Sequence, residues 1–317
     1  MPVYLIRRLL AAAGTWLLLT ALLYTALHFL PGSTIVEDME GASASGAGGT
    51  AGAGSSESLP AGYAHWLGRL VRLDLGVSLS VERGRPVAEL LREAIPWSLG
   101  LGSLALLLTF GLATPLSLLA AWRPSSVVSR WGLIALFGLQ ALPVFWMALV
   151  LQQVAAVRLK WLPLMGAGTG GFEGAAHWVL PAASLALGSL ALAMRLIGDA
   201  LERVVEARPS QAARARGASR ARVLMTQGMA EAGTRMVSLA ALMLPGLVSG
   251  SVLVESIFAL PGAGRLFYVA ASRRDLPVLL GVSLVAAAAT LAASLLADAA
   301  HRLLDPRLRR HPTGEPA

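Results

Sequence analysis

Gln211-Ala212-Ala213-Arg214-Ala215-Arg216-Gly217 stands at the centre of one long polar interruption, residues 195–235, in an otherwise apolar second half. Eight arginines punctuate that stretch: Arg195, Arg203, Arg208, Arg214, Arg216, Arg220, Arg222 and Arg235. Alanine, glutamine and arginine favour helix on both sides of a single glycine, and that glycine can take the positive φ of a turn. A short helical hairpin is predicted. Apolar runs of membrane-spanning length flank it, so the hairpin must lie in water outside the bilayer and pack against something there.

Working outward, the flanking runs are 9–30, 97–122, 131–157, 178–197, 236–258 and 277–300. Each is long enough to cross hydrocarbon as a helix. With 56% hydrophobic and 14% charged residues, the 317-residue chain reads as an all-α polytopic integral membrane protein with six transmembrane helices. Trp97, Trp122, Trp131, Trp161 and Trp178 sit at or near run ends, where interfacial aromatic belts form. The first run is too long for a signal-peptide core and no small-x-small site closes it at Pro31-Gly32, so it is read as an uncleaved anchor. The expected organisation is an anchor helix over 1–30, an extracytoplasmic loop and cap over 31–95, a five-helix core over 96–305 and a tail over 306–317. The core contains the polar loop, 198–235. Residues 41–58 are almost wholly Gly, Ala, Ser and Thr, too poor in apolar surface to offset ordering entropy. With the amino terminus inside, the cytoplasmic segments hold sixteen Lys and Arg residues against ten outside. Both termini and the polar loop are therefore placed in the cytoplasm.

The chemistry that is absent narrows function. Lys160 is the sole lysine and Trp161 follows it, so no phosphate-cradling G-x-x-x-x-G-K loop exists. Cysteine is absent and the five histidines are scattered, so no metal-ligand spacing occurs. Basic residues lie between apolar runs without aromatic interleaving, which argues against nucleic acid despite a net charge of +8. Ionisable residues near the spans, Arg195, Glu255 and Asp298, cluster at span ends rather than deep inside, as an ion-coupled carrier would place them. Embedded serines such as Ser184, Ser189 and Ser238 have no mid-span histidine beside them and read as packing residues. In the fifth run, Pro245 permits a kink, and Gly246 and Gly250 form a small-xxx-small pair suited to a close helix crossing. Glu255, Pro261 and Gly262 follow directly, so these six residues are expected to form a gate and a seam with a helix of another chain. Close packing within the same chain is the competing reading of the glycine pair.

These residues resemble the membrane-spanning permease subunits of binding-protein-dependent ABC importers, in particular the first permease of the oligopeptide, dipeptide and nickel group. The central loop is similar to the family's E-A-A-x-x-x-G signature through Ala212, Ala213 and Gly217, with Gln211 where Glu is usual. Asp74-Leu75-Gly76-Val77-Ser78, Pro86-Val87, Leu142-Pro143-Val144-Phe145, Arg274-Asp275-Leu276-Pro277 and Asp305-Pro306-Arg307 add to the resemblance. Its sharpest part is Val254-Glu255-Ser256-Ile257-Phe258-Ala259-Leu260-Pro261-Gly262-Ala263-Gly264-Arg265-Leu266. Departures are the Gly/Ala/Ser tract in place of a more structured first outer loop, Arg208-Pro209, where the family tends to have Asp-Tyr, and Gly198 in place of an arginine.

The resemblance implies a type I ABC importer permease fold in the cell inner membrane. It implies a second permease, two ATPase subunits that bind ATP and magnesium, and an extracytoplasmic solute-binding protein as partners, with no catalysis, metal or cofactor in this chain. Gln211, Ala212, Ala213 and Gly217 would couple to the ATPases, as a helix seated in a groove of a soluble partner. Peptide is the expected cargo, although the same scaffold is used for nickel, sugars and opines. An ion-coupled secondary transporter is the alternative, and a membrane enzyme the third reading.

Overall fold

The structure, a computed structural model, describes residues 2–28, 59–72, 74–122, 138, 141–168, 171–249 and 251–304. The expectations for the Gly/Ala/Ser tract, for Arg123, Arg130 and Trp131, for Gly250 and for the 306–317 tail lie outside them. Eleven α-helices occur among the described residues. They are α1 Pro2–His28, α2 Leu59–Val71, α3 Val87–Trp122, α4 Val144–Leu151, α5 Gly171–Glu206, α6 Arg208–Ala215, α7 Arg220–Val223, α8 Met229–Ser249, α9 Val252–Ile257, α10 Ala263–Arg273 and α11 Leu276–Leu304. A π-helical stretch, Gln152–Arg158, continues α4, and another, Leu224–Gly228, joins α7 to α8. Extended pairing among these residues is confined to one bridge, Val77 with Pro86.

Three helical stretches are long and apolar enough to cross a membrane: Val87–Trp122, Gly174–Glu206 and Leu276–Leu296. Leu10–Leu22 and Val144–Arg158 are shorter apolar helices. Exposure supports a lipid environment. Leu18 and Leu107 are each 70% exposed, a placement that water disfavours and hydrocarbon accepts.

Several boundaries differ from the sequence expectation: the third run, expected over 131–157, is helical among the described residues only from Val144, apart from the isolated Gly138, because residues 141–143 turn before it, and α5 and α8 begin at Gly171 and Met229 rather than at 178 and 236. The second run begins not at 97 but at Val87, and Pro96 lies inside α3 rather than before it. The first turns of α3 are amphipathic: Val87, Leu90, Leu91 and Ala94 are buried while Glu89, Arg92 and Glu93 face solvent. Burial of that stripe holds the helix on despite the proline, which costs an interior hydrogen bond. The fifth run is divided, because α8 ends at Ser249 and the short α9 starts at Val252, with Ser251 as its N-cap.

The chain forms two compact units, Met1–Ser98 with Pro261–Ala292 and Leu99–Leu260 with Ala293–Ala317. In the first, α3 residues Val87, Leu90, Leu91 and Ala94 pack with Ala263 and Ala270 of α10 and Val278 and Val282 of α11. Gly281 makes this approach possible, since a Cβ there would lie 2.6 Å from Val87 Cγ1. α2 is held on α1 by an aromatic cluster in which Tyr24 lies 5.6 Å, centroid to centroid, from both Tyr63 and Trp66. The Tyr63 hydroxyl and Thr20 Oγ1 share a hydrogen bond of 2.9 Å.

In the second unit α5 is central, packing on α8 and on α4. Its buried stripe of Leu190, Ala193, Met194, Ile197 and Leu201 meets Leu224, Ala232 and Leu239. At Gly188 a Cβ would sit 2.7 Å from Val144 Cγ2, so α4 crosses α5 at close range. Ser117 Oγ donates across helices to the Met194 carbonyl at 3.1 Å. Ser184, Ser189 and Ser238 instead donate to carbonyls four residues back in their own helices. Such bonding satisfies a hydroxyl in an apolar setting and fits packing residues.

Candidate functional site

The polar loop is a helical hairpin built on one glycine. α5 ends at Glu206, the chain turns at Ala207, and Pro209 occupies the first turn of α6, a position where its missing N–H and fixed φ fit. The far end of α6 is a Schellman motif: Ala218 N–H donates to Ala213 O at 3.1 Å and Gly217 N–H to Arg214 O at 2.9 Å. Gly217 carries a φ of +94°, and a Cβ there would meet nothing within 4 Å. The glycine is thus required by the backbone, not by crowding. Ser219 then caps α7, accepting from the Arg222 N–H at 3.2 Å.

Three contacts hold the hairpin. Buried Ser210 donates from Oγ to Gln227 Oε1 at 2.7 Å, tying α6 to the π-helical stretch before α8. Arg220 Nε donates to Ala121 O at 3.0 Å, placing a cation among the last carbonyls of α3. Gln211 Nε2 donates to Glu206 O at 2.8 Å, closing the end of α5. An ionised glutamate has no hydrogen to give, so glutamine at 211 supplies a local bond that the usual residue could not. Gln211, Ala212 and Gly217 are exposed and Ala213 is half-buried. With Arg214 and Arg216 they form a free face of small and basic residues.

The residues expected at the gate divide between the two units. Pro245 and Gly246 lie in α8, which runs through them to Ser249. Glu255 is fully buried in α9, and its carboxylate accepts a hydrogen bond from Ser251 Oγ one turn earlier. In the first unit Gly262 is the N-cap of α10. Beside it Ser98 Oγ accepts from the Ala263 N–H at 2.8 Å.

Sequence reasoning treated Asp74-Leu75-Gly76-Val77-Ser78 and Arg274-Asp275-Leu276-Pro277 as separate marks of resemblance, and the structure joins them. Asp275 is fully buried. One oxygen, Oδ2, accepts from Ser78 Oγ at 2.6 Å and from the backbone N–H groups of Leu79, Ser80 and Val81 at 3.1, 2.8 and 2.8 Å. Its other oxygen faces Val278 N at 3.4 Å, in the first turn of α11. Arg273 Nη1 adds bonds to the Ser80 and Val81 carbonyls at 3.4 and 3.2 Å. Burial alone pushes the Asp275 carboxyl upward, but the Ser78 hydroxyl and the three N–H groups outweigh it and hold the group below its ordinary range. Nearby, the Arg69 guanidinium at 2.9 Å holds Asp74 below its usual value too. The 78–85 loop is closed by Ser78 N–H to Arg85 O and Gly84 N–H to Ser78 O, both 2.8 Å.

A cavity of about 550 Å³ opens beside this loop in the same unit, between α3 and α10, with Pro261 and Gly262 in its wall. Among the described residues no group of three or more His, Asp or Glu side chains is arranged to hold a metal.

Residues 113–310 match the family described as "Binding-protein-dependent transport system inner membrane component". The chain is 31% identical over 315 residues to the oligopeptide transport system permease protein AppB of Bacillus subtilis, covering 97% of this chain and 99% of that protein. It is 28% identical over 312 residues to the dipeptide transport system permease protein DppB of the same organism, covering 98% and 99%. Among solved structures, a chain of the MetNI methionine ABC transporter in an inward-facing conformation superposes with a TM-score of 0.56 at 17% identity, covering 68% of this chain and 97% of that one. That likeness is one of fold. With the family match spanning most of the chain and the first of these relatives aligned almost end to end, the protein belongs to the inner membrane components of binding-protein-dependent transport systems.

Proposed function

We propose that this chain is one permease of an ATP-driven importer for di- or oligopeptides, pairing with a second permease to enclose the translocation pathway. The observation that carries the reading is the end-to-end likeness to peptide permeases at 31% and 28% identity. Six spans complete the fold: α1, α3, a span ending at Arg158, α5, the α8 and α9 region, and α11. Both termini and the α6 hairpin lie in the cytoplasm. Two ATPase subunits bind ATP and magnesium and dock on Gln211, Ala212, Ala213 and Gly217, while a solute-binding protein delivers cargo from outside.

The chemistry of this chain is mechanical. α6 is short and rigidly terminated at Gly217; Ser210 in α6 bonds it to the stretch before α8, and Arg220 in the following α7 bonds the hairpin to the end of α3. Closure of the ATPases would therefore move the hairpin with those helices as a rigid body and switch access between the two sides. Pro245, Gly246, Gly250, Glu255, Pro261 and Gly262 form the permease seam and outer gate in this reading. The test is reconstitution with the second permease, the ATPases and the solute-binding protein in proteoliposomes. ATP-dependent accumulation of a labelled dipeptide supports the proposal, whereas accumulation by this chain alone, driven by an ion gradient, overturns it.

A further inference from the structure

We infer that the exposed face of α6 is a cationic docking ridge, and that the ATPase subunit receiving it presents carboxylates in the facing groove. The inference rests on the coupling role proposed above and adds the charge that the partner must carry. Between Ala207 and Ala230 the chain has five arginines and no Asp or Glu. Over the wider stretch 195–235 eight arginines meet four carboxylates, those of Asp199, Glu202, Glu206 and Glu231, and Glu231 pairs with Arg235 at 3.5 Å. The surplus therefore survives when the flanks are counted, and it concentrates on the hairpin.

Of the five, Arg220 is engaged by the Ala121 carbonyl. The guanidiniums of Arg208, Arg214, Arg216 and Arg222 have no hydrogen-bond or ion-pair partner among the described residues, and all four residues are exposed. Arg208, Ala212 and Ala215 follow one another at helical spacing on the outer side of α6, and Arg216 closes that stripe. Ser210, buried, and Ala213, half-buried, lie on the opposite side. Small side chains framed by cations let a partner surface come close between them.

Helix stability accounts for two of these cations and not the third. Arg214 and Arg216 stand at the carboxyl end of α6, where the helix dipole favours positive charge. Arg208 stands in the first turn, where the dipole disfavours it, and no acidic residue there offsets it. Topology asks only that the loop be basic, a demand that Arg195, Arg203, Arg222 and Arg235 meet from outside α6. Lipid headgroups are a poor match in position. From Ile197, where the apolar run ends, α5 continues as helix to Glu206, about 13 Å at a rise of about 1.5 Å per residue. The headgroup layer is only about 5–8 Å deep on each side, so α6 stands beyond it, within reach of a soluble subunit. A groove without anions would strip water from three unpaired guanidiniums on closing, whereas carboxylates give each a charge-assisted partner.

The test uses the purified full-length permease pair in nanodiscs of neutral phosphatidylcholine and equilibrium binding of the ATPase subunits between about 0.05 and 0.5 M salt. Affinity should fall steadily with salt. Arg208→Gln, Arg214→Gln and Arg216→Gln should each weaken binding about threefold, and the triple variant about 30-fold with a flatter salt dependence. Arg208→Lys, Arg214→Lys and Arg216→Lys together keep the charge and should retain most of the affinity. Circular dichroism and melting confirm that the variants fold. Because Lys160 is the sole lysine, Arg214→Lys adds an amine that a zero-length carbodiimide joins only to a carboxylate in direct contact, and peptide mapping should find the link to an Asp or Glu of the ATPase. Binding that neither salt nor the triple Gln variant alters, or binding without a link to any ATPase carboxylate, overturns this inference alone. So does a triple-variant defect confined to nanodiscs containing anionic phosphatidylglycerol, which makes the lipid surface the partner. Absence of ATPase binding by the unmodified pair overturns the coupling reading together with it.

Discussion

Replacing Asp275 by asparagine keeps the shape of the side chain and removes its charge, which isolates the bond network that fastens the 78–85 loop to α11. Four donors converge on Oδ2, between 2.6 and 3.1 Å. A hydrogen bond to a charged group contributes about 1.5–3 kcal/mol net and a neutral one about 0.5–1.5. An oxygen has two lone pairs, so four donors cannot all bond at full strength, and counting two to three full equivalents gives a loss of about 2–3 kcal/mol. The loss acts locally, because these bonds close one loop rather than the whole chain. An opening equilibrium shifted by that amount is about 30- to 150-fold more populated, and native-state proteolysis follows that population when reclosing is fast. Trypsin cleavage at Arg83 in the detergent-solubilised full chain should accelerate accordingly, with cleavage in the 214–222 region as internal control. A change below about threefold at Arg83, with the control unchanged, would refute the claim that Asp275 holds the loop. The sign with pH is fixed by the same network. The folded carboxyl titrates below the ordinary aspartate value of 3.8, so its stabilisation is complete above that value and is lost as pH falls toward the depressed one. Amide exchange at Leu79, Ser80 and Val81, corrected for intrinsic rates, should rise only in that acid window and should lose its pH dependence in Asp275→Asn.

Other substitutions test other parts. Gly217→Val forces a β-branched residue to a φ of +94° with no clash, so the chain should fold with a penalty of about 1–2 kcal/mol, while ATP hydrolysis by the assembled importer continues and uptake falls; normal uptake would remove the hairpin from the coupling role. Gly281→Val drives side-chain atoms into Val87 and Leu91, the first at 2.6 Å from the new Cβ, and should destabilise the first unit by about 1–3 kcal/mol by overpacking, read as a lowered melting temperature. Introduced singly into a chain without cysteine, Trp161→Cys should label from outside intact cells and Arg214→Cys only after permeabilisation; labelling of both from outside would overturn the six-span topology. Gly246→Leu with Gly250→Leu should reduce co-purification of the two permeases from detergent, and an undiminished complex would place their seam elsewhere.

How far the sequence carried can be argued from particular residues. The hairpin was legible because its determinants are local: a helix former series, one glycine able to take positive φ, and polar neighbours between apolar runs. The helix boundaries were less so. Pro96 looked like a start, but the stripe Val87, Leu90, Leu91 and Ala94 is buried by α10 and α11, segments about 170 residues away in the chain, and only that packing extends α3 back to Val87. The break between α8 and α9 had the same character, since a serine beside a glycine in an apolar run does not announce that its hydroxyl will turn to Glu255. Most opaque was the pairing of Ser78 with Asp275, 197 residues apart. Each motif was visible as a pattern, and what neither pattern encodes alone is that the aspartate is both the anion for one loop's amides and the first-turn acceptor of α11. A buried carboxylate is tolerated only where donors surround it, so an Asp between an exposed arginine and a leucine-proline helix start implies that a donor loop must come from elsewhere. Ser78, set two residues after a glycine of φ +80°, is the kind of residue that supplies one. That demand runs from the unsatisfied charge to the fold, and it explains why two short motifs at opposite ends of the chain belong to a single structural element.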